Sequence, residues 1–400
     1  MIRDFAPDDA DFYLGDPYPA LRRLRREDPV HWYEKAACWC ITKHADVEHV
    51  SRSPQLFTST QGILLGTGPE NRPPGVPHSI LEMDPPQHNR YRKLVIQAFA
   101  PRAVAALEPR IRAIARESLD AVPVGEPVDF VNAVSIPLPM YVIAEMLGVP
   151  REDWPEFRRW SDALVKAAGG RDVGTDSMRG EMLALLGEMF AYFTEHLADR
   201  RRTPREDLVS TLAWAEIDGD RLTDPEILMF CTTLLAAGNE TTRNLISGGA
   251  FALMQHPDQK GALLANPGLI PNAVEEMLRW WPPLLSFTRH ATSATSLRGK
   301  KIGEGDCVLL LYLAANRDEE VWGEDAERFD VRRDHSRRRH LSFGFGEHLC
   351  LGASLARLEA RVMFEELLAR LPECEPAGPL ERFHSRLMNT IERMPVVFKA

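Results

Sequence analysis

Between Ile227 and Met254 the chain keeps an apolar, helically spaced pattern that suits a helix buried inside a larger core. The middle of that run is interrupted. The octet Ala236-Ala-Gly-Asn-Glu-Thr-Thr-Arg243 places a glycine, a carboxylate and two hydroxyls in it. These residues cost stability: Gly238 about 1 kcal/mol against alanine in a helix interior, and Glu240 more unless its carboxyl is hydrogen-bonded or protonated. No stretch of the chain reaches the ~18 apolar residues that span a bilayer, and the N-terminus, Met1-Ile-Arg-Asp-Phe-Ala-Pro-Asp-Asp, lacks the apolar core of a secretory signal. A soluble, cytoplasmic protein is expected.

A second feature lies near the C-terminus. Cys350 stands in Phe343-Gly-Phe-Gly-Glu-His-Leu-Cys-Leu-Gly, where a glycine-rich loop gives way to apolar residues at helical spacing: Leu351, Leu355, Leu358, Val362, Leu367, Leu368 and Leu371. A cysteine near a helix N-terminus meets unpaired N–H groups and the positive end of the helix dipole, which favour the thiolate that binds metals. Glycines at 344, 346 and 352 free the backbone to turn and to approach a flat ligand. Taken alone, a cysteine in a helical protein is more often a small buried hydrophobe.

The string Phe343, Gly344, Gly346, His348, Cys350, Gly352, Leu355, Ala356, Arg357 resembles the haem-binding signature of the cytochrome P450 family. The resemblance implies haem b (iron protoporphyrin IX) with Cys350 as its axial thiolate and His348 directed at a propionate; thiolate ligation favours O–O cleavage. It extends to the octet in the apolar run, which is similar to the family's distal-helix motif. There it implies that Thr241 steadies dioxygen and its water while Glu240 passes protons inward from solvent. Asp84-Pro-Pro-Gln-His-Asn-Arg-Tyr-Arg92 and Ser286-Phe-Thr-Arg-His-Ala291 resemble segments that offer propionate ligands, giving His88, Arg92 and Arg289, with Arg90 and His290 as the neighbours most easily confused with them. In Val274-Glu-Glu-Met-Leu-Arg-Trp, Glu276 and Arg279 stand three apart on one helix face. The resemblance makes them a structural pair on the proximal side, with Glu275 as a rival acid.

The fold expected is mainly α with a minor β portion, the cytochrome P450 fold, with haem between a distal helix at about 224–255 and a proximal cysteine loop and helix at 343–371. Helical signals fall near 86–119, 135–147, 151–168, 177–202, 224–255, 270–280 and 352–371. Strand signals fall at Val30–Tyr33, Cys38–Thr42, Ser296–Ile302 with Cys307–Leu311, and in the tail near Ile391–Phe398. Residues 61–82 are too rich in glycine and proline for a regular element and read as a long loop; in the family such a segment covers the substrate pocket. Scattered prolines, no low-complexity tract and no internal repeat favour one domain over 1–400. A net charge of −10 argues against non-specific nucleic-acid binding. Six cysteines without C-x-x-C spacing indicate neither a disulfide scaffold nor structural zinc, and Cys38 and Cys40 read as ordinary strand residues.

The activity implied is monooxygenation of a hydrophobic small molecule, terpenoid, steroid or fatty-acid-like, with two electrons from a ferredoxin and an NAD(P)H-dependent ferredoxin reductase. The basic run 332–340, just ahead of the cysteine loop, offers Arg337, Arg338 and Arg339 as a docking patch for an acidic donor. The rivals are a peroxide-driven haem peroxygenase and a non-catalytic haem sensor or carrier. Expected pocket walls include Ala236, Ala237, Leu284, Leu285, Leu387, Met388 and parts of the 61–82 loop. The phrases around Ala236–Asn244, Ala314–Glu319 and Met394–Phe398 resemble actinobacterial members that oxidise sterols, branched lipids and terpenoids.

Overall fold

Thr223 starts the longest helix, Asp224–Gln255, here the distal helix. Its hydroxyl accepts from the Glu226 N–H while the Glu226 carboxylate accepts from the Thr223 N–H, and Pro225 occupies the first turn, where its missing donor is not needed. The computed structural model describes residues 4–68, 76–169 and 176–399. In it the distal helix runs unbroken for 32 residues. Helices Pro137–Met146, Trp154–Gly169, Asp176–Arg202, Ile270–Trp280 and Ala353–Arg370, the last here the proximal helix, pack around it.

Small residues set how close these helices come. A Cβ on Gly248 would enter the Trp281 indole, and one on Gly249 would lie 2.6 Å from Met277 Sδ and 2.8 Å from Phe364 Cζ. Gly238 serves packing too, since a Cβ there would stand 2.8 Å from Ile143 Cδ1. The glycine in the octet is therefore partly explained by the crossing of Pro137–Met146 over the distal helix.

The β portion is a five-stranded sheet in the order Val30–Tyr33, Cys38–Ile41, Cys307–Leu311, Ser286–Ala291, Phe57–Thr58. Only the Cys38–Ile41 and Cys307–Leu311 pair is parallel. Its alternating side chains feed two apolar clusters, one with Val30, Ile41, Val308 and Leu310, the other with Cys38, Cys40, Leu309 and Leu311.

Glu276 and Arg279 are both fully buried. Arg279 Nε and Nη2 each donate to the Glu276 carboxylate at 2.7 Å, Nη1 donates to Asn316 O at 3.0 Å and Nη2 to Arg328 O at 2.8 Å. One guanidinium thus ties the helix to the irregular 316–333 segment ahead of the cysteine loop. The rival acid, Glu275, pairs instead with Arg357 at 2.7 Å and His340 at 3.3 Å.

Several sequence expectations need correction. The 86–119 pattern is four pieces, Gln87–Val95, Ile96–Phe99, Pro101–Ala106 and Glu108–Asp120, because Pro101 and Pro109 each start a new helix. Helices also occur before residue 86, at Ala10–Leu14, Tyr18–Glu27 and His44–Ser51. Ser296–Ile302 forms its own hairpin, Thr295–Leu297 with Lys300–Ile302, while Cys307–Leu311 joins the main sheet. The tail carries two strands, Ile391–Arg393 and Pro395–Phe398, in different sheets.

Candidate functional site

The distal helix, the proximal helix and the cysteine loop border a large apolar cavity, about 1460 Å³ with the open solvent at its mouth included. From the distal helix, Thr233, Leu234, Ala237, Gly238, Thr241, Thr242 and Leu245 face it, the one-face spacing of a 3.6-residue repeat. Opposite stand Phe343 to Phe345, His348 to Gly352, Leu355, Ala356 and Glu359.

The cysteine loop is held by its own backbone. Cys350 N donates to Phe343 O at 2.8 Å and Gly344 N to Leu341 O at 2.8 Å, and Gly344 and Gly346 adopt φ of +68° and +67°. Gly346 also has no room for a Cβ, which would meet Ser51 O. Arg357 lies 4.5 Å over the Phe343 ring and is ion-paired with Glu275, so the loop rests on a fixed cation. Cys350 is exposed, and the cavity wall includes it. That exposure opens onto the cavity it lines, and the protein packed around the cavity desolvates the thiol and raises its pKa, which the Gly352 N–H, Arg92 and Arg357 only partly oppose. Cys350 stands three residues before Ala353, the first helical residue, so the helix end reaches it only weakly. A metal cation at Sγ would supply the counter-charge a thiolate needs there.

Four basic groups gather at the same end of the cavity. The His88 and His348 rings lie with centroids 4.4 Å apart, tilted by 49°, and His348 contacts Ser59 Oγ at 3.1 Å. Burial, then Arg289, His88 and Arg92, push His348 down to about 3. Arg289 is 6% exposed and donates to Thr288 O at 2.7 Å; Arg92 donates to Leu349 O at 2.6 Å. Neither forms an ion pair with a described residue, and His88 Nε2 is buried without a partner. Buried cations without carboxylates are costly. Two guanidiniums, two imidazoles and a thiol around one apolar chamber fit the two propionates and the iron of a haem.

Glu240 and Thr241 part company. Thr241 lines the large cavity and its hydroxyl donates to Ala237 O at 2.7 Å. Glu240 is buried on another side of the helix, 2.9 Å from Arg243 Nη1, and accepts from Thr390 Oγ1 at 3.3 Å. It borders a second, polar cavity, about 650 Å³ with its open solvent included, together with Arg158, Asp162, Arg243, Thr390 and Glu392. Burial raises its carboxyl pKa despite the Arg243 pair.

Of the expected pocket residues, Ala237 and Leu284 line the cavity, and Ala236 and Leu285 do not. Leu387 and Met388 pack behind Leu284 and Phe287. From the 61–82 loop, Ile63, Ile80 and Leu81 reach the wall; residues 69–75 lie outside the described residues. Sequence reasoning missed Phe99, Ile143, Phe230, Thr233, Phe287 and Glu359. Glu359 is the most telling: it is 1% exposed, neither oxygen meets a donor at hydrogen-bond geometry, and burial pushes it up to about 8, only partly opposed by Thr242. Its signal was an acid four residues after Leu355 and three before Val362, on the apolar face. The basic run 332–340 divides: Arg337, Arg338 and Arg339 are exposed, while Arg333 and His335 turn inward to Glu276 at 3.3 and 3.2 Å.

Comparison with known proteins agrees with this architecture. The family model for Cytochrome P450 matches residues 178–375. A linalool 8-monooxygenase of Pseudomonas putida is 36% identical over 394 residues, covering 95% of each chain. An erythromycin C-12 hydroxylase of Saccharopolyspora erythraea is 41% identical over 353 residues, covering 88% of this chain and 86% of that one. Among solved structures, CYP109Q5 from Chondromyces apiculatus superposes with a TM-score of 0.89 at 37% identity, covering 100% of this chain and 99% of that one. CYP109E1 from Bacillus megaterium, in complex with testosterone, gives 0.85 at 34% identity, covering 96% and 100%.

Proposed function

The chain belongs to the cytochrome P450 family and is a haem-thiolate monooxygenase, and from that premise we propose that it hydroxylates a neutral, lipophilic small molecule inside the large cavity. One juxtaposition supports this above the rest: among the described residues, a buried arginine with no carboxylate in ion-pair reach, Arg289, and a buried histidine nitrogen with no hydrogen-bond partner, His88 Nε2, line the same apolar chamber as its one wall cysteine, Cys350. In this reading Cys350 ligates haem b, and His88, Arg92, Arg289 and His348 surround its propionates. Bound there, the haem supplies dioxygen activation: one oxygen atom enters the substrate, the other leaves as water, and two electrons are consumed.

The chain's own residues then manage protons and water. The Thr241 hydroxyl, its proton given to Ala237 O, offers lone pairs that hold a water in the cavity. Glu240 sits between that helix face and the polar second cavity, so it takes protons from solvent there and must leave Arg243 to hand them to Thr241. This role for the pair favours the monooxygenase over the peroxide-driven and non-catalytic alternatives. The electron donor is a ferredoxin with its NAD(P)H-dependent reductase, and the exposed Arg337, Arg338 and Arg339 would meet its acidic surface. The chain works as one domain in the cytoplasm; no helix among the described residues is long and apolar enough to cross a membrane.

Relatives are named for linalool, erythromycin, vitamin D(3) and a methyl-branched lipid, which supports a terpenoid, steroid, macrolide or lipid skeleton as substrate class. The test is optical titration of the ferric protein with such compounds, followed by turnover with a surrogate ferredoxin and reductase. A saturable spin-state shift together with NAD(P)H-linked product formation is expected. Haem binding without any turnover would leave a sensor or carrier, and product formed only with added peroxide would make it a peroxygenase.

A further inference from the structure

Thr233, Ala237 and Thr241 follow one another at four-residue spacing along the distal-helix wall of the cavity. Thr233 and Thr241 therefore share a face, and a separation of eight residues at helical rise puts them ~12 Å apart. Their hydroxyls behave alike. Thr233 Oγ1 donates to Met229 O at 2.8 Å, as Thr241 Oγ1 does to Ala237 O at 2.7 Å. With the proton committed to the helix backbone, what Thr233 presents to the cavity is an acceptor.

The other polar groups of the wall belong to the cofactor end. His88 lies against His348, whose pKa also responds to Arg289 and Arg92, and Arg92 responds to Cys350. Tyr312 acts on Arg289, Ser342 Oγ donates to Leu278 O at 2.6 Å beside the cysteine loop, and the Glu359 carboxyl responds to the Thr242 hydroxyl, next to Thr241. Two arginines balance two propionates, so no described cation of the wall is left for a substrate carboxylate. That leaves Thr233 as the polar wall residue, among those described, with no place at the cofactor end. Around it stand apolar side chains of the same wall, including Phe230 and Leu234.

Resting on the reading of this cavity as the haem and substrate chamber, we infer that Thr233 accepts a hydrogen bond from a hydroxyl of the substrate. The substrate is then a neutral lipophilic alcohol, oxidised near Thr241 at a carbon ~12 Å from that hydroxyl, the span of a fused polycyclic skeleton or of about ten bonds in an extended chain. A ketone at the same position brings a second acceptor to an acceptor and gains nothing. A hydrocarbon analogue leaves Thr233 unpaired. An alcohol of the wrong length either loses Thr233 or presents no carbon to the reacting end. Thr233 is thus a specificity residue that sets both the functional group read and the position oxidised.

The experiment uses the haem-loaded enzyme, its Thr233→Val variant, which keeps the shape and removes the acceptor, and Thr233→Ser, which restores it. The probes are a saturated steroid bearing a hydroxyl, a ketone or hydrogen on its A ring, and dodecane with or without a terminal hydroxyl. Binding is read from the spin-state shift and the oxidised position from product analysis. Wild type should bind at least one alcohol about tenfold more tightly than its ketone or hydrocarbon partner, the size of one buried hydrogen bond and the polar group it satisfies, and oxidise it at the far end. T233V should lose the preference and scatter the products, T233S should keep the preference and the oxidised position, and hydrocarbon affinity should be equal in wild type and T233S and no weaker in T233V, where no acceptor is left unpaired. An intact thiolate-haem spectrum with no alcohol preference in either set, or a preference that survives T233V, overturns the role of Thr233 and leaves the cavity reading standing. A protein without a thiolate-haem spectrum overturns the cavity reading and this inference with it.

Discussion

Replacing Arg279 with alanine should cost about 3–5 kcal/mol of unfolding free energy at pH 7, the range for breaking a buried ion pair from one side. Both partners are 0% exposed, and the guanidinium also carries backbone carbonyls of Asn316 and Arg328. Burial alone would raise the Glu276 carboxyl; Arg279 first, then His335, bring it down instead from 4.5 to about 2. That depression is worth about 3 kcal/mol at neutral pH. Because the folded pKa lies below the unfolded one, this stability is present above pH 4.5 and is lost as pH falls towards about 2.

In R279A, only Arg333 at 3.3 Å, His335 at 3.2 Å and the Asp330 N–H at 2.9 Å remain around Glu276. The assay is urea unfolding followed by far-ultraviolet circular dichroism, wild type against variant, at neutral pH and at about pH 3. The deficit should be largest at neutral pH and shrink in acid. Pairing R279A with Glu276→Gln should recover part of it, since the unpaired buried charge is then gone. A deficit under about 1 kcal/mol at neutral pH, or one that does not shrink in acid, would refute the reasoning.

Three further outcomes are expected. Arg289→Met removes a buried cation that lacks a carboxylate, so it should raise the melting temperature of the haem-free protein while weakening haem retention; a fall in both would show that Arg289 has a structural partner instead. Glu359 has its carboxyl raised from 4.5 to about 8, so its contribution is present below pH 4.5 and is lost as pH climbs through about 8. Glu359→Gln should therefore gain on wild type in unfolding free energy as pH rises, and parallel profiles would exclude this ionisation. Thr241→Ala should keep the haem spectrum and divert consumed NAD(P)H towards peroxide, measured as peroxide formed per reductant oxidised; unchanged coupling would remove Thr241 from proton handling.

Much of this architecture was legible in residue patterns, and the reason differs by region. The distal helix announced itself through its long apolar spacing, a local property; its Thr223 and Glu226 cap is equally local and went unread. The Glu276 and Arg279 pair followed from three-residue spacing, but their burial did not, because it depends on carbonyls of Asn316, Ala326 and Arg328 far along the chain. The helices before residue 86 escaped notice because they are short; Tyr18–Glu27 carries four arginines among its ten residues. The strand Ser286–Ala291, which holds Arg289, has no clean alternation because both its faces are largely covered.

In the site, adjacency in sequence misled. Glu240 and Thr241 are neighbours, yet about 100° of helical rotation sends one to the polar cavity and the other to the large one. Leu284 and Leu285 diverge in the same way, with only Leu284 on the wall. Glu359 was hidden because its surroundings come from two helices, and desolvation is a property of the packed molecule rather than of the local string.

The central claim is that Cys350 binds the iron of a haem as its thiolate ligand. It is tested most directly by the spectrum of the carbon monoxide complex of the reduced protein, comparing wild type with Cys350→His and with Cys307→Ser, a control cysteine that lies in the sheet and off the cavity wall. The account expects the red-shifted Soret band of thiolate ligation in wild type and in C307S, and its replacement by an imidazole-type band in C350H. A thiolate band that persists in C350H, or is absent from a wild type that retains haem, would contradict it.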